Sequence, residues 1–264
     1  MAETDIGWGG LAASLVLLGL VIVLSIVQRL GLERSIAWAG ARALAQLLAV
    51  GYALTFIIDP DRPVAFAWAW VALMVGVAAL TVSQRAPEVP GVFLLAVVGT
   101  GSSALVSLGT IFAFHIFPVE GKTVVPLAGM MIGNSMTATV VASRRIVAEL
   151  TEKRAEVEAR LALGQPWQQA SRPYVRASLR TAMLPTIEQT KVVGLISLPG
   201  AMTGLILGGV APADAVKIQA AVMFLILGSV TTTASVIGLG LTRRLFTADH
   251  RLVPLRRAVD HAGR

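Results

Sequence analysis

The sequence predicts an all-α, polytopic integral membrane protein with about seven transmembrane helices. Hydrophobic residues make up 55% of the 264 residues and charged residues only 14%, well below the roughly 25% of a soluble domain. The mean hydropathy is +0.75, and the apolar residues form runs of about twenty, the length that crosses a bilayer. The predicted spans cover residues 11–27, 35–58, 64–82, 92–114, 124–143, 192–210 and 215–241.

The positions of the basic residues predict that the N-terminus is outside and the C-terminus inside. Segments on the predicted inner side hold most of the Lys and Arg, whereas the outer ones hold Arg62, Lys122 and Lys217. Because basic loops stay in the cytoplasm, the net charge of +7 indicates membrane topology rather than nucleic-acid binding. The chain has no cysteine, which excludes disulfides and thiolate metal sites. We expect a multi-pass protein of the cell inner (plasma) membrane.

A long polar segment, residues 144–185, separates the fifth and sixth spans. Opposite charges recur four residues apart in the pairs Glu149–Lys153, Arg154–Glu158 and Glu156–Arg160. This spacing predicts that the fifth span continues as a solvated helix. Gly164 is expected to end that helix, and Pro166 to begin a short one that Pro173 closes. We therefore predict a cytosolic helical insert, and a basic cytosolic tail at residues 242–264.

Within this insert, residues 158–164 are similar to the EAA-x-x-x-G element by which ABC-transporter permeases dock into a cleft on their ATPase subunit. Arg160 stands where that element has alanine. The resemblance implies ATPase-coupling roles for Glu158, Ala159, Gly164, Gln165, Pro166, Trp167 and Gln168. The alternative is a hairpin packed on itself, with Trp167 covered by its own neighbours.

Three of the predicted spans contain polar residues, glycines or a proline that hydrophobicity alone does not explain. The fourth has a stripe of small polar residues, which favours close helix packing, at Thr100, Ser103, Ser107 and Thr110. In the fifth, Asn134 needs a hydrogen-bond partner, so helix packing and pore lining both stay open. In the sixth, Pro199 is expected to kink or break the span. Candidate packing glycines are Gly129, Gly133, Gly200, Gly204 and Gly208; candidate translocation-path residues are Met130, Asn134, Ser135, Thr137, Met202 and Thr203.

Other polar residues suggest gating or anchoring, and the chain lacks the pattern of an enzyme. Structural or gating roles are predicted for Arg42, Gln46, Glu188, Lys191 and Pro199. The tripeptide Gly121-Lys122-Thr123 is not a phosphate loop, because Ile116 stands where that loop needs glycine. With no nucleophile–base set either, we expect a non-enzyme that binds no cofactor and no nucleic acid, and whose metal ligands, if any, the sequence leaves unidentified.

Longer blocks resemble the Fet-type ABC-transporter permeases (UPF0014), a group of bacterial iron-export permeases related to plant aluminium-tolerance permeases. These blocks are residues 42–47 with 51–52, 126–130 with 133–134, 163–166, 184–186 and 193–204. The resemblance implies a single transmembrane permease domain over residues 1–264 that forms a homodimer. It also implies a separate ATPase that binds ATP and Mg, and export of iron or a related metal. Alternatives are a nucleotide-sugar cargo, an ATPase-independent secondary transporter or a membrane scaffold.

Overall fold

The computed structural model describes residues 8–253, apart from 60, 197, 248 and 250. Across these residues the chain forms helices and turns and no strand, so the all-α prediction is confirmed. The helices are α1 (Trp8–Val27), α2 (Glu33–Ile57), α3 (Ala65–Arg85), α4 (Val92–Ala113), α5 (Gly121–Glu152), α6 (Arg154–Ala162), α7 (Trp167–Val192), α8 (Gly200–Leu207) and α9 (Pro212–Leu245).

The chain divides into two compact units, with the division after Arg62. The first unit contains α1 and α2, whose connection is tied by Ser25. The Ser25 hydroxyl donates to the Glu33 carboxylate at 3.0 Å and accepts from the Leu32 amide at 3.3 Å. Gly40 of α2 lies directly against Leu18 of α1, so the two helices form a hairpin.

The second unit is built around α5, which contacts α3, α4, α7 and α9. Small residues bring α4 close to its neighbours. The Ser103 and Ser135 hydroxyls lie 2.7 Å apart between α4 and α5, and Thr233 of α9 donates to the Gly99 carbonyl at 3.1 Å. Such contacts let helices pack without large apolar side chains. The predicted packing role of the small polar stripe on α4 is confirmed, except that Thr110 is exposed.

Five helices are long and apolar enough to cross a membrane, namely α2, α3, α4, α5 and α9, and residues 15–27 of α1 form a shorter apolar helix. The chain is therefore a multi-pass membrane protein, while the count of seven spans and the orientation stay predictions. The predicted sixth span, residues 192–210, is not one helix. It consists of the end of α7, a turn with Gly194 at φ +86°, and the eight residues of α8. Pro199 directly precedes α8, so the expected break is confirmed.

Helix α7 corrects the prediction that Pro173 closes a short helix. The helix runs for 26 residues with Pro173 and Pro185 inside it. An interior proline removes a backbone hydrogen bond and costs about 3 kcal/mol. Packing against α5 and α9 offsets this cost, because α7 buries a stripe that repeats every four residues: Ala170, Tyr174, Ser178, Ala182 and Thr186.

The polar segment 144–185 consequently has no boundaries of its own in the fold. Helix α5 passes through residue 144, as predicted, but it ends at Glu152, and a separate helix, α6, leads to Gly164 in place of the predicted continuous one. At the other end of the segment, α7 passes through residue 185. Of the predicted basic tail, residues 242–245 complete α9, and a bridge joins Phe246 to Leu252. Residues 254–264 lie outside the described part of the chain.

Candidate functional site

The connection from α6 to α7, residues 163–166, is the centre of the predicted coupling site, and we call it the coupling turn. Helix α6 ends where the sequence predicts, because Gly164 adopts the left-handed conformation at φ +83°, which glycine tolerates best. The Gly164 amide donates to the Leu161 carbonyl at 2.9 Å and the Gln165 amide to the Arg160 carbonyl at 3.1 Å. This termination leaves Leu163 82% exposed, so an apolar side chain projects beside a glycine.

Trp167, the first residue of α7, points the other way. Its ring stacks on Phe246 from the end of α9, with centroids 5.7 Å apart and planes 20° apart. It also packs against the buried core cluster of α5, α7 and α9. Trp167 is thus partly buried within its own chain, but Phe246, on which it stacks, lies outside the segment 144–185 whose packing on itself the alternative predicted. Gln168 is exposed and Gln165 partly buried.

Sequence reasoning missed Leu163, although a usable signal was present. That signal is an apolar residue directly before Gly164, the glycine expected to end the helix. The coupling roles implied by the resemblance include Trp167 and omit Leu163. The structure reverses their accessibility.

The charges near the coupling turn pair differently from the prediction. Arg154 and Glu158 form the expected ion pair at 2.7 Å. Glu149 instead pairs with Arg145 at 2.7 Å, and Glu156 with Lys153 at 3.2 Å. The predicted pair of Glu149 with Lys153 assumed one continuous helix, whereas the chain leaves helical geometry at Lys153. Glu156 and Arg160 both lie on α6, but the Arg160 guanidinium lies over the Tyr174 ring, 5.9 Å from its centroid, while Glu156 pairs with Lys153.

Glu156 also links α6 to α7, since the Tyr174 hydroxyl donates to its carboxylate at 2.9 Å. That hydrogen bond and then the Lys153 ammonium lower the pKa of Glu156, and Glu156 in turn raises the pKa of Lys153. Both groups are therefore charged at neutral pH. Because the pKa of Glu156 is lowered on folding, its contribution to stability is present above the ordinary glutamate range and is lost as the pH falls through the lowered pKa.

The predicted path residues of α5 satisfy their polar groups within the helix. The Asn134 amide donates to the Met130 carbonyl at 2.8 Å, and the Thr137 hydroxyl to the Gly133 carbonyl at 3.2 Å. Ser135 is buried against Ser103. Thr137 is exposed on the surface of α5, and Asn134 and Met130 are partly exposed beside it.

The predicted path residues of α8 lie on a helix that packs against α9. Met202 is buried, whereas Thr203 is exposed and donates to the Pro199 carbonyl at 3.3 Å. Within the described ranges no hydrogen bond joins these residues to Asn134 or Thr137, so a path between α5 and α8 stays a prediction.

Of the candidate packing glycines, Gly129 lies in ordinary contact with Met74 of α3. Gly133, Gly200 and Gly204 face open space in this chain, and Gly208 meets only the backbone of its own helix. The last four are thus not used for packing between the helices described here.

The predicted gating residues lie on α2, on α7 and, for Pro199, directly before α8. Glu188 and Lys191 form the expected local pair on α7 at 2.8 Å, and both are exposed. Arg42 and Gln46 are exposed on α2 in the first unit.

Gln219 of α9 is a buried polar residue that the sequence analysis does not predict. It is only 4% exposed, and its Oε1 has no hydrogen-bond partner among the residues described.

Helix α7 carries a ridge of arginines beside an apolar span. Two contacts give its direction: Trp167 stacks on Phe246, and Leu179 lies against Gly238. Moving forward along α7 thus means moving backward along α9, so the two helices are antiparallel. The ridge consists of Arg172, Arg176 and Arg180, which are exposed and form no ion pair with any described residue.

The residues that the structure describes contain no group of three or more His, Asp or Glu that would hold a metal ion.

Comparison with known proteins gives consistent matches. The sequence model of a family described as "Uncharacterised protein family (UPF0014)" matches residues 8–246. The UPF0014 membrane protein STAR2 of Oryza sativa subsp. japonica is 39% identical over 226 residues, which cover 84% of this chain and 78% of the rice protein. The Arabidopsis thaliana protein ALUMINUM SENSITIVE 3 is 34% identical over 227 residues, covering 84% and 81%.

A bacterial relative matches over a larger share of its length. The "Probable iron export permease protein FetB" of Escherichia coli (strain K12) is 32% identical over 244 residues, which cover 92% of this chain and 93% of that protein. No solved structure is significantly similar to the chain.

Proposed function

The chain belongs to the uncharacterised protein family UPF0014, and from this premise we propose that it is the permease subunit of an ABC transporter. The name of its relative, a probable iron export permease, supports iron or a related metal species as the exported cargo. ATP and Mg would bind to a separate ATPase chain, and two copies of this permease would form the membrane part in the inner membrane. A nucleotide sugar is the alternative cargo.

The observation that carries this proposal is the exposed Leu163 at the coupling turn. An ATPase cleft that receives a permease helix needs an apolar side chain to bury and a close backbone approach. Leu163 is 82% exposed, and Gly164, which has no side chain, is next to it. A few well-buried side chains near the centre of a protein interface account for most of its binding energy.

Trp167 and Glu158 would support this contact from the permease side. The stack of Trp167 on Phe246 fixes the start of α7 to the end of α9, and the ion pair of Glu158 with Arg154 braces α6. A force applied at Leu163 would therefore reach α7 and α9 together, and both helices pack against α5. This route connects the coupling turn to the membrane helices.

The exposed charges of α7 support a second copy and a polar path. Beyond Leu179, α7 continues beside the apolar helix α9 and still exposes Arg180, Glu188 and Lys191. Charged side chains that face lipid at such depth are costly, so they normally line a water-filled cavity or a protein interface. We assign this face, with Thr137 and Thr203, to the surface where two copies enclose the path.

The experiment is reconstitution of the full chain with a candidate ABC ATPase in vesicles. Leu163→Asp is expected to weaken ATPase binding about 30-fold, as loss of an anchor worth about 2 kcal/mol does, and to abolish permease-stimulated ATP hydrolysis. Ala155→Asp is the matched control, because it places the same charge at an exposed position of α6 away from the turn. Equal ATPase binding by both variants would contradict the coupling role of Leu163.

Separate arms of the same experiment distinguish the alternatives. Iron flux that requires both ATPase and ATP supports the ABC permease. Flux from the permease alone would indicate a secondary transporter. Inhibition of ATPase stimulation by a nucleotide sugar, without any response to iron, would replace the cargo while keeping the mechanism.

A further inference from the structure

A groove of about 500 Å³ lies between α7 and the last turns of α9. Its walls are mostly apolar and include Val175 and Leu179 of α7 and Gly238 and Leu239 of α9. Two arginines, Arg172 and Arg176, lie at its α7 side, and no acidic residue lines it. The groove thus combines an apolar surface with two positive charges.

These two arginines have no counter-charge in the part of the chain that the structure describes. Neither forms a hydrogen bond or ion pair there. Three carboxylates of α5 and α6 are paired with other cations, and Glu152 of α5, which forms no such pair with a described residue, does not line the groove. Those pairs are Arg145–Glu149, Lys153–Glu156 and Arg154–Glu158. Two guanidinium groups held one helical turn apart on the same face therefore present a site for an anion.

The groove lies where an apolar span meets a basic end. The Arg244 guanidinium donates to the Gly91 carbonyl at 2.9 Å, so this end of α9 is level with the loop that joins the predicted spans α3 and α4. Gly238 is six residues before Arg244, which is about 9 Å further along the span. Leu239 is 76% exposed there. The arginine end thus lies near the membrane boundary, and the apolar end extends into the span.

We propose that this groove binds an anionic phospholipid. The phosphate would accept hydrogen bonds from Arg172 and Arg176, since guanidinium groups match phosphate geometry. An acyl chain would lie along Val175, Leu179 and Leu239. Basic pockets between transmembrane helices bind anionic headgroups in this way. The assignment depends on the membrane location of the chain and does not depend on the proposed coupling to an ATPase.

The test uses the full-length protein, purified in detergent and stripped of lipid, with binding measured by native mass spectrometry. Phosphatidylglycerol and phosphatidylcholine with identical acyl chains are titrated separately, and the wild type is expected to prefer phosphatidylglycerol. The double variant Arg172→Gln, Arg176→Gln is expected to bind phosphatidylglycerol about 30-fold more weakly, because each arginine contributes about fivefold. Its affinity for phosphatidylcholine, whose phosphate charge is balanced by the choline group, is expected to fall by less.

The matched control is the double variant Arg85→Gln, Arg243→Gln. It removes the same charge from exposed positions in the last turns of α3 and α9, and neither residue lines the groove. It is expected to lose less than about fivefold in phosphatidylglycerol affinity. Equal losses in both double variants, or equal wild-type affinity for the two lipids, would overturn the proposal.

Two further arms test the acyl-chain part of the site. Val175→Trp fills the apolar wall while keeping both arginines, and it is expected to weaken phosphatidylglycerol binding; circular dichroism checks that it folds. Glycerol phosphate, which has the anionic head without the chains, is expected not to displace the lipid. Displacement by glycerol phosphate would identify a small-anion site instead, and dimers that exclude the lipid would assign the groove to a second copy.

Discussion

Helices α4 and α7 pack against the same two neighbours, α5 and α9, but they differ in the face that they turn outward. Both bury a stripe at four-residue spacing, made of the small residues Gly99, Ser103 and Ser107 in α4 and of Tyr174, Ser178 and Ala182 in α7. The outer face of α4 is apolar and that of α7 carries an arginine ridge. The buried stripe therefore decides how a helix packs, whereas the opposite face decides what surrounds it.

The two helices also differ in what a side chain added at their contact with α9 would meet. A Cβ atom at Gly99 of α4 would lie 3.2 Å from Ile237 and 3.5 Å from Thr233, both on α9. At Gly238, where α7 meets α9, the added atom would lie closer, 2.8 Å from Leu179, but it would meet only the end of that flexible side chain. Leu179 borders the groove and has room to move, so we expect the α7–α9 contact to be the more tolerant one.

The largest expected effect follows from filling the tight contact. Gly99→Val would place methyl groups against Ile237 and separate the Thr233 hydroxyl from the Gly99 carbonyl. Overpacking of this kind costs about 1–3 kcal/mol, measured as a loss in unfolding free energy during denaturation in mixed detergent micelles. Gly109→Val on the same helix is the control, because its Cβ would meet nothing within 4 Å. Equal costs for both would mean that contact with Ile237 and Thr233 does not explain the loss.

A smaller effect is expected at the contact between α7 and α9. Gly238→Ala forces the end of Leu179 toward the groove, but alanine in place of a helical glycine returns about 0.5–1 kcal/mol. The net change in unfolding free energy should stay below about 1 kcal/mol, in the same denaturation assay. A cost as large as that of Gly99→Val would show that α7 is packed as rigidly as α4.

The smallest effect concerns the link between α6 and α7. Tyr174→Phe keeps the ring near Arg160 but removes the hydroxyl that donates to Glu156, the largest cause of the lowered pKa. The pKa of Glu156 should therefore rise toward 4.5, its ordinary value, in a pH titration of ¹³C-labelled glutamate carboxyl signals. The stability that this carboxylate supplies would then be lost at a higher pH during acidification.

Tyr52→Phe controls for this last change, since the chain has two tyrosines and Tyr52 lies on α2. It should leave the Glu156 titration unchanged. An unaltered Glu156 pKa in Tyr174→Phe would mean that the hydrogen bond does not persist in solution.

Several local features of the site followed directly from the sequence. Gly164 ends α6, Pro166 precedes α7 and Pro199 precedes α8. Each of these depends on the backbone preference of one residue, and such preferences act before any tertiary contact forms. The accessibility of Leu163 and Trp167 did not follow in this way, because it depends on Phe246, which is about eighty residues distant along the chain.

The error at Pro173 has the same origin. A proline inside a helix is unfavourable in isolation, and the polar composition of residues 144–185 gave no sign of a buried face to offset it. The four-residue stripe from Ala170 to Thr186 was present in the sequence, but its residues are small or polar. Only contact with α5 and α9 makes that stripe a buried surface.

The sequence by itself determined the all-α membrane class and the approximate positions of most apolar helices, because hydrophobicity and length act on each segment separately. It also determined where individual glycines and prolines end or break helices. The tertiary structure alone decided that α7 is one long packed helix, that Trp167 is covered and Leu163 exposed, and that Arg172 and Arg176 border a groove. These features arise from contacts between distant segments, whose combined packing energy exceeds any single local preference.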